Sequence, residues 1–267
     1  MLDTCRVDAL RAVAPEYEFI SDVDSIISVG STSSEWIANT FRERYTPDIN
    51  ETAYLSANAF SERVIEERQF PIESPFVDWR TVTADEFLLL DQAWRHGPDP
   101  EYKHMSAEDL TDRAIVAARE YDPDRLIVHY SQPHKPYVAN AKAEDRELRF
   151  FEREPFRALR EGDTDYQTVW ESYLDNLRMG LDSVERLLAN IDADRVVLSA
   201  DHGESFGEYG GVIYGHPRAV PHPHVKRVPW AVTTAEDIGT ADPDIDISGR
   251  ATMQRDAKEH LQGLGYL

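Results

Sequence analysis

The sequence predicts an α/β fold with a mostly parallel central sheet, and three features of its 267 residues lead there. A short apolar run, Val196-Val197-Leu198-Ser199-Ala200, stops on Asp201-His202-Gly203-Glu204. A second run, Arg125-Leu126-Ile127-Val128-His129-Tyr130, stops on Ser131-Gln132-Pro133-His134-Lys135-Pro136-Tyr137. Between them Val169, Tyr173, Leu177, Leu181, Val184 and Leu188 recur at three- and four-residue steps, which makes a long amphipathic helix feeding the Val196 run. Helix, buried strand and polar strand end form the crossover unit of a parallel sheet. The carboxyl edge of such a sheet is where α/β enzymes keep their chemistry. A chain of this length fits one large core, so residues 1–267 are expected to form a single domain.

The remaining elements follow in order. Asp3 stands almost at the start, and helix-like apolar spacing follows it through Leu10. Residues 19–29 contain β-branched side chains and predict a short strand. Gly30-Ser31-Thr32-Ser33-Ser34 predicts a turn feeding a helix through Trp36, Ile37, Thr40 and Phe41, because Ser and Thr cap helix starts and Glu35 falls in the first turn. Residues 52–57 read as a strand, and 84–95 and 106–121 as helices, the second with a Ser-Ala-Glu-Asp start like a capping box. Two prolines flank His134 and would aim its imidazole. The charged stretch 142–165 shows no clear period and is expected to be irregular. The Val228-Pro229-Trp230 run predicts a further strand, and 252–261 a last helix that Gly263 would end.

Composition narrows the chemistry. Fifty acidic residues stand against twenty-eight basic ones, for a net charge of -22, and five of the basic residues are lysine. Such a balance excludes a nucleic-acid partner, which needs a basic footprint, and disfavours anionic membrane surfaces. A lysine-poor acidic surface suits concentrated salt, where screening acts over roughly 3 Å at 1 M, so a halophilic setting is expected. Cys5 is the single cysteine, which leaves no intramolecular disulfide and no thiolate cluster for zinc. Any metal would sit on oxygen and imidazole. No run approaches the ~18 apolar residues that span a bilayer, and the N-terminus lacks a basic segment followed by an apolar one, so a cytoplasmic location is expected.

The strand ends together supply Asp3, Ser31 or Thr32, His134, Asp201, His202 and His216, types that suit a divalent cation, a hydroxyl nucleophile and imidazoles around an anion. His222 and His224 read as loop residues. These segments resemble the sulfatase branch of the alkaline phosphatase superfamily. Leu2-Asp3-Thr4-Cys5-Arg6-Val7-Asp8-Ala9-Leu10 matches the family's first metal segment, and His129-Tyr130-Ser131-Gln132-Pro133-His134-Lys135-Pro136-Tyr137 its substrate-histidine segment. Asp201-His202-Gly203-Glu204, with Phe206-Gly207-Glu208 and Gly215-His216, matches the second metal segment, and Val228-Pro229-Trp230 the strand after it. Four weak motifs in order and spacing make one specific signal across most of the chain.

The resemblance implies a three-layer αβα sandwich with a mostly parallel sheet. It implies that Asp3, Asp201 and His202 coordinate one divalent ion, Ca²⁺, Mn²⁺ or Mg²⁺, and that His134 and His216 contact the transferred group or protonate the leaving oxygen. The expected activity is hydrolysis or transfer of a small-molecule or glycan sulfate or phosphate ester, through a serine or threonine nucleophile.

Two departures qualify the match. Family sulfatases carry Cys/Ser-x-Pro-x-Arg, matured to formylglycine; here Ser31 takes the nucleophile position, with Thr32 next in register, Ser33 stands for proline and Glu35 for arginine. Formylglycine is not expected, and the Glu35 charge would oppose an anionic substrate unless it points away along the helix. The family also places an apolar strand before its first aspartate, where this sequence has Met1 and Leu2, so the first core strand is expected to be missing. That departure supports a rival reading, an inactive relative that binds an anionic ligand or a partner protein.

Overall fold

A computed structural model describes residues 1–71, 79–96, 102, 105–247 and 257–263. Its strands are β1 (Leu2–Asp3), β2 (Asp24–Ile27), β3 (Thr52–Ser56), β4 (Leu89–Asp91), β5 (Arg125–Pro133), β6 (Ala193–Ser199), β7 (Ser205–Phe206), β8 (Tyr214–Gly215) and β9 (Arg227–Ala235). The first half carries helices α1 (Val7–Val13), α2 (Ser33–Thr40), α3 (Thr46–Ile49) and α4 (Ala107–Tyr121). After β5 come α5 (Ala139–Ala143), α6 (Phe150–Arg153), α7 (Pro155–Glu161) and α8 (Tyr166–Leu188), then α9 (Pro223–Lys226) and α10 (Ala257–Gly263).

Four parallel strands, in the order β1-β5-β3-β4, form the centre of the fold. Beside them β2-β9-β6 forms an antiparallel sheet, and a single parallel bridge between Leu2 and Ala200 joins the two. The period-two alternation of β3 divides the helices into layers. Ala53 and Leu55 face the cluster built by α1, α4 and α8, while Tyr54 faces Trp36, Phe41 and Trp94 on the other side, which gives the expected αβα sandwich.

The amphipathic stripe on α8 is buried as its spacing predicts, from Val169 to Leu188. Each such side chain contributes roughly 1.5–3 kcal/mol of burial. At Gly180 an added Cβ would lie 3.0 Å from Gln132 Cβ, so a glycine there lets α8 sit close against β5. Ser106 caps α4 by accepting from Asp109 N at 3.0 Å, and Arg113 of that helix pairs with Asp91 at 2.6 Å.

Several expectations change. Residues 84–95 are not a helix: Leu89, Leu90 and Asp91 pair with β3 as strand β4, flanked by single 3₁₀ turns. A free sheet edge beside β3 outweighed helix propensity there. The stretch 142–165 carries two short helices, α6 and α7, with Gly162 ending α7 at φ +75°. The helix expected over 252–261 appears from Ala257 in α10, and residues 252–256 lie outside the described part.

The first core strand is present as β1, two residues long. The N-terminal halves of β5 and β6 face each other across an opening of about 780 Å³, lined by Ile27, Leu126, Ile127, Val196, Val197 and Trp230. This opening lies at the start of the strands, and the polar residues at 131–134 and 201–202 lie at their carboxyl ends.

Candidate active site

Three strand ends deliver the predicted acids and imidazoles to one place. Asp3 ends β1, Asp201 and His202 follow β6, and His134 follows β5. Thr4, directly after Asp3, adopts φ +65°, a left-handed conformation that costs on the order of 1–3 kcal/mol in a non-glycine residue. It is held by its own N–H, which donates to Asp201 Oδ1 at 3.2 Å, and by Tyr173, whose hydroxyl donates to Thr4 O at 2.8 Å. The strained turn therefore locks the two carboxylates together.

Asp201 Oδ1 also accepts from His202 N at 2.8 Å, and Asn58 Nδ2 donates to Asp3 Oδ2 at 2.9 Å. His202 Nδ1 lies 2.9 Å from Gly203 O, a carbonyl that can only accept, so Nδ1 carries the proton. In the neutral ring Nε2 then presents a lone pair, 3.7 Å from Asp3 Oδ1 and 3.5 Å from Asp201 Oδ2. Burial pushes the His202 pKa down to about 4, against the pull of Asp201, so the ring is neutral at neutral pH. Burial alone would raise the Asp201 carboxyl, but the His202 and His129 imidazoles and the Ser33 hydroxyl hold it low. The ligand atoms of Asp3, Asp201 and His202 all lie within 4.8 Å of one another. Two carboxylate oxygens and an imidazole lone pair converging in a buried site fit a divalent cation, and repel one another without one.

A second shell orients these ligands. His129, in the middle of β5, places Nε2 3.4 Å from Asp201 Oδ2 and Nδ1 3.0 Å from the Tyr54 hydroxyl. Its ring also meets the edge of Trp36 at 5.4 Å. Gly203 allows the backbone to pass under α9: an added Cβ would lie 2.1 Å from His224 O.

A second group adjoins the first. His134, Glu204 and His216 also present ligand atoms within 4.8 Å of one another, and the His202 and His216 rings are 4.4 Å apart. His216 Nδ1 lies 2.9 Å from Glu204 Oε1. Asn176 of α8 fixes the His134 loop, donating to His134 O at 3.2 Å and accepting from Val138 N at 3.0 Å. Burial pushes Glu204 up to about 8 and His216 down to about 4; it also drives His134 well below the ordinary imidazole value, with the His216 and Lys135 charges adding to the effect. Glu204 is thus a proton carrier at neutral pH.

The serine turn differs from expectation by one register step or two. Ser31 Oγ donates to Glu35 Oε2 at 2.7 Å, and Thr32 is the N-cap of α2, accepting from Glu35 N at 3.3 Å. The hydroxyl beside the cluster belongs to Ser33, whose Oγ lies 3.4 Å from His202 Nε2. A capping argument carried further finds it: with Thr32 as N-cap, Ser33 is the first helical residue, where amides and dipole face outward toward an anion. His129, Asn58 and Glu204 were likewise not among the residues assigned a role from sequence. His222 and His224 pack against Tyr209, with ring centroids at 5.5 and 5.8 Å, outside both groups.

No protein-family model matches this chain, and no curated protein matches it in sequence. Solved structures do. The integral membrane protein lipooligosaccharide phosphoethanolamine transferase A (EptA) from Neisseria meningitidis superposes with a TM-score of 0.59 at 15% identity, covering 88% of this chain and 47% of that one. Its soluble domain gives 0.54 at 14% identity, covering 88% and 75%. The fold is alkaline-phosphatase-like. This chain spans about half the length of the full transferase. The C-terminal periplasmic domain of EcEptC from Escherichia coli, in complex with Zn, is more distant, with a TM-score of 0.47 at 13% identity. Among the described residues, no helix is long and apolar enough to cross a membrane.

Proposed function

We propose that residues 1–267 act as one catalytic unit, a metal-dependent hydrolase or transferase of phosphate esters with Ser33 as its nucleophile. The observation that carries this reading is the convergence of Asp3, Asp201 and the Nε2 lone pair of His202 beside Ser33 Oγ. A divalent ion held there, of the Mn²⁺, Mg²⁺ or Ca²⁺ type, would supply charge to lower the serine pKa and to bind a phosphoryl oxygen. Ser33 would attack phosphorus in line, its proton passing to the Nε2 lone pair that His134 keeps while its Nδ1 donates to Lys135 O; His216 would face the remaining oxygens, and Glu204, its carboxyl raised by burial, would donate to the departing alkoxide. The phosphoserine is then attacked by water in a hydrolase, or by an acceptor alcohol in a transferase. Phosphoethanolamine transfer by EptA supports phosphate over sulfate as the transferred group.

The test is turnover of phosphodiester, phosphomonoester and aryl sulfate probes by the full chain with each of the three ions in high salt, together with mass spectrometry of acid-quenched protein. Expected are diester turnover and, on Ser33, a phosphoryl group that still carries the diester's other alcohol. A folded chain that binds metal yet turns over no ester would sink the reading.

A further inference from the structure

The catalytic scheme leaves one buried charge in the serine turn unused. Glu35, 7% exposed, is the third residue of α2 and lies two past Ser33. Its two oxygens reach different segments. Oε2 accepts from Ser31 N at 2.6 Å and from Ser31 Oγ at 2.7 Å; Oε1 accepts from Ala219 N at 2.8 Å. Ser31 Oγ lies also 3.2 Å from Pro217 O. One carboxylate thus ties the start of the nucleophile's helix to the three residues that follow His216.

That loop needs a tie. Between β7 and α9 the chain carries Tyr209 at 73% and Val212 at 83% exposure, with Gly210 and Gly211 between them at positive φ. Among the holds around His216 are the β7–β8 pairing of Gly215 with Ser205, the contact with Glu204 and a hydrogen bond from Arg218 to Pro71 O at 3.3 Å. The charge on Glu35 is tolerated because three donors meet it, the N-terminus of a helix favours an anion, and the Lys226 ammonium, which donates to Gly30 O at 2.9 Å, attracts it.

We propose that Glu35 is a positioning residue that clamps the His216 loop to the first turn of α2, so that the Ser33 hydroxyl and the His216 ring face the same tetrahedral anion. The inference rests on the function proposed above. Glu35 is the residue whose charge, read from sequence, would oppose substrate; in the fold both oxygens are engaged by protein donors, so it organises the anion site without facing it. A glutamine has the same shape but one acceptor oxygen, and its NH₂ would meet an N–H donor on one side. Glu35→Gln therefore opens the clamp with little change in volume.

The test compares the full chain, Glu35→Gln and Ser31→Ala, each loaded with Mn²⁺. Mn²⁺ affinity is read by calorimetry, vanadate affinity by titration, kcat and KM with bis(p-nitrophenyl) phosphate, and deuterium uptake in the peptide 207–221. In Glu35→Gln, kcat and vanadate affinity should each fall about tenfold or more while Mn²⁺ affinity stays within about twofold, since misplacement of ~1 Å costs that much without touching the metal ligands. Uptake in 207–221 should rise. Ser31→Ala, which keeps both backbone donors, should give a smaller loss in the same direction. Unchanged kcat and vanadate affinity beside a loosened loop would overturn the proposal, as would a parallel loss of Mn²⁺ affinity with faster exchange throughout the chain, which is the mark of a folding role. If the wild type binds vanadate but turns over no ester, the proposed function falls while vanadate affinity and exchange still decide the clamp. A wild type that binds no vanadate overturns both.

Discussion

His202 spends its Nδ1 proton on Gly203 O and is left with a lone pair between two carboxylates, an arrangement that fixes what its replacement should do. Asp201→Asn or His202→Ala should weaken divalent-ion binding by about 100-fold or more, and His129→Ala, one shell out, by about 10–100-fold. Calorimetry reads both, and unchanged affinity in either ligand variant would remove that residue from the site. Ser33→Ala should lower turnover on the order of 10³-fold with metal binding retained, whereas Thr32→Ala should act mainly through the lost cap, roughly 1 kcal/mol of stability. Acid–base behaviour without metal follows from the same burial. His202 and His216, depressed from 6.5 to about 4, bind fewer protons folded than unfolded, so their contribution is complete above pH 6.5 and is lost as pH falls toward 4. Glu204, raised from 4.5 to about 8, binds more protons folded than unfolded; its contribution is complete below pH 4.5 and is lost as pH rises through 8. The chelator-treated protein should therefore be most stable near pH 6.5, and Glu204→Gln should flatten the alkaline limb of a Tm–pH curve.

Among elements, the strained turn at Thr4 depends on α8. Tyr173 donates to Thr4 O and accepts from Arg6 N at 3.0 Å, so Tyr173→Phe removes both bonds and should cost about 1–3 kcal/mol while loosening Asp3. A drop in Tm without any fall in metal affinity would show that the turn holds by itself. The elements that carry the site were legible in the chain because their patterns were strong. A stripe from Val169 to Leu188 has only one helical reading, and an apolar run that halts on Asp-His-Gly reads as a strand, of which Leu198 and Ser199 are buried and the first half is more open. Strand β4 was not legible, since Leu88-Leu89-Leu90 suits a helix equally well and only pairing with β3 decides the matter. The short helices of 150–161 escaped because their turns are too few for a period to emerge. Asn58 and His129 became recognisable once β3 and β5 were set side by side, since their sequence neighbours say nothing about Asp3 or Asp201. Ser33 is a different case: its place was implied by the cap at Thr32, one inference further than motif spacing reaches.

At the scale of the whole molecule, a formal charge of -22 on 267 residues sets a large self-repulsion. Raising NaCl from about 0.1 to 1 M shortens the Debye length from ~10 to ~3 Å, so Tm should rise across that range before any ion-specific effect. A flat or falling Tm would argue against an acidic surface suited to salt. The opening between β5 and β6 bears on rigidity in another way. A continuous sheet has two borders; one parted in its middle has four, and two of them run through what the topology marks as its interior. The best-protected strand should then be β3, buried throughout and flanked by partners on both sides, while alternate amides of 125–128 and 195–198 exchange as a rim would. The carboxyl ends of those strands are closed over Leu2 and Ala200, so firmness in this molecule is graded along the strand axis, soft where the strands begin and stiff where the acids and imidazoles stand.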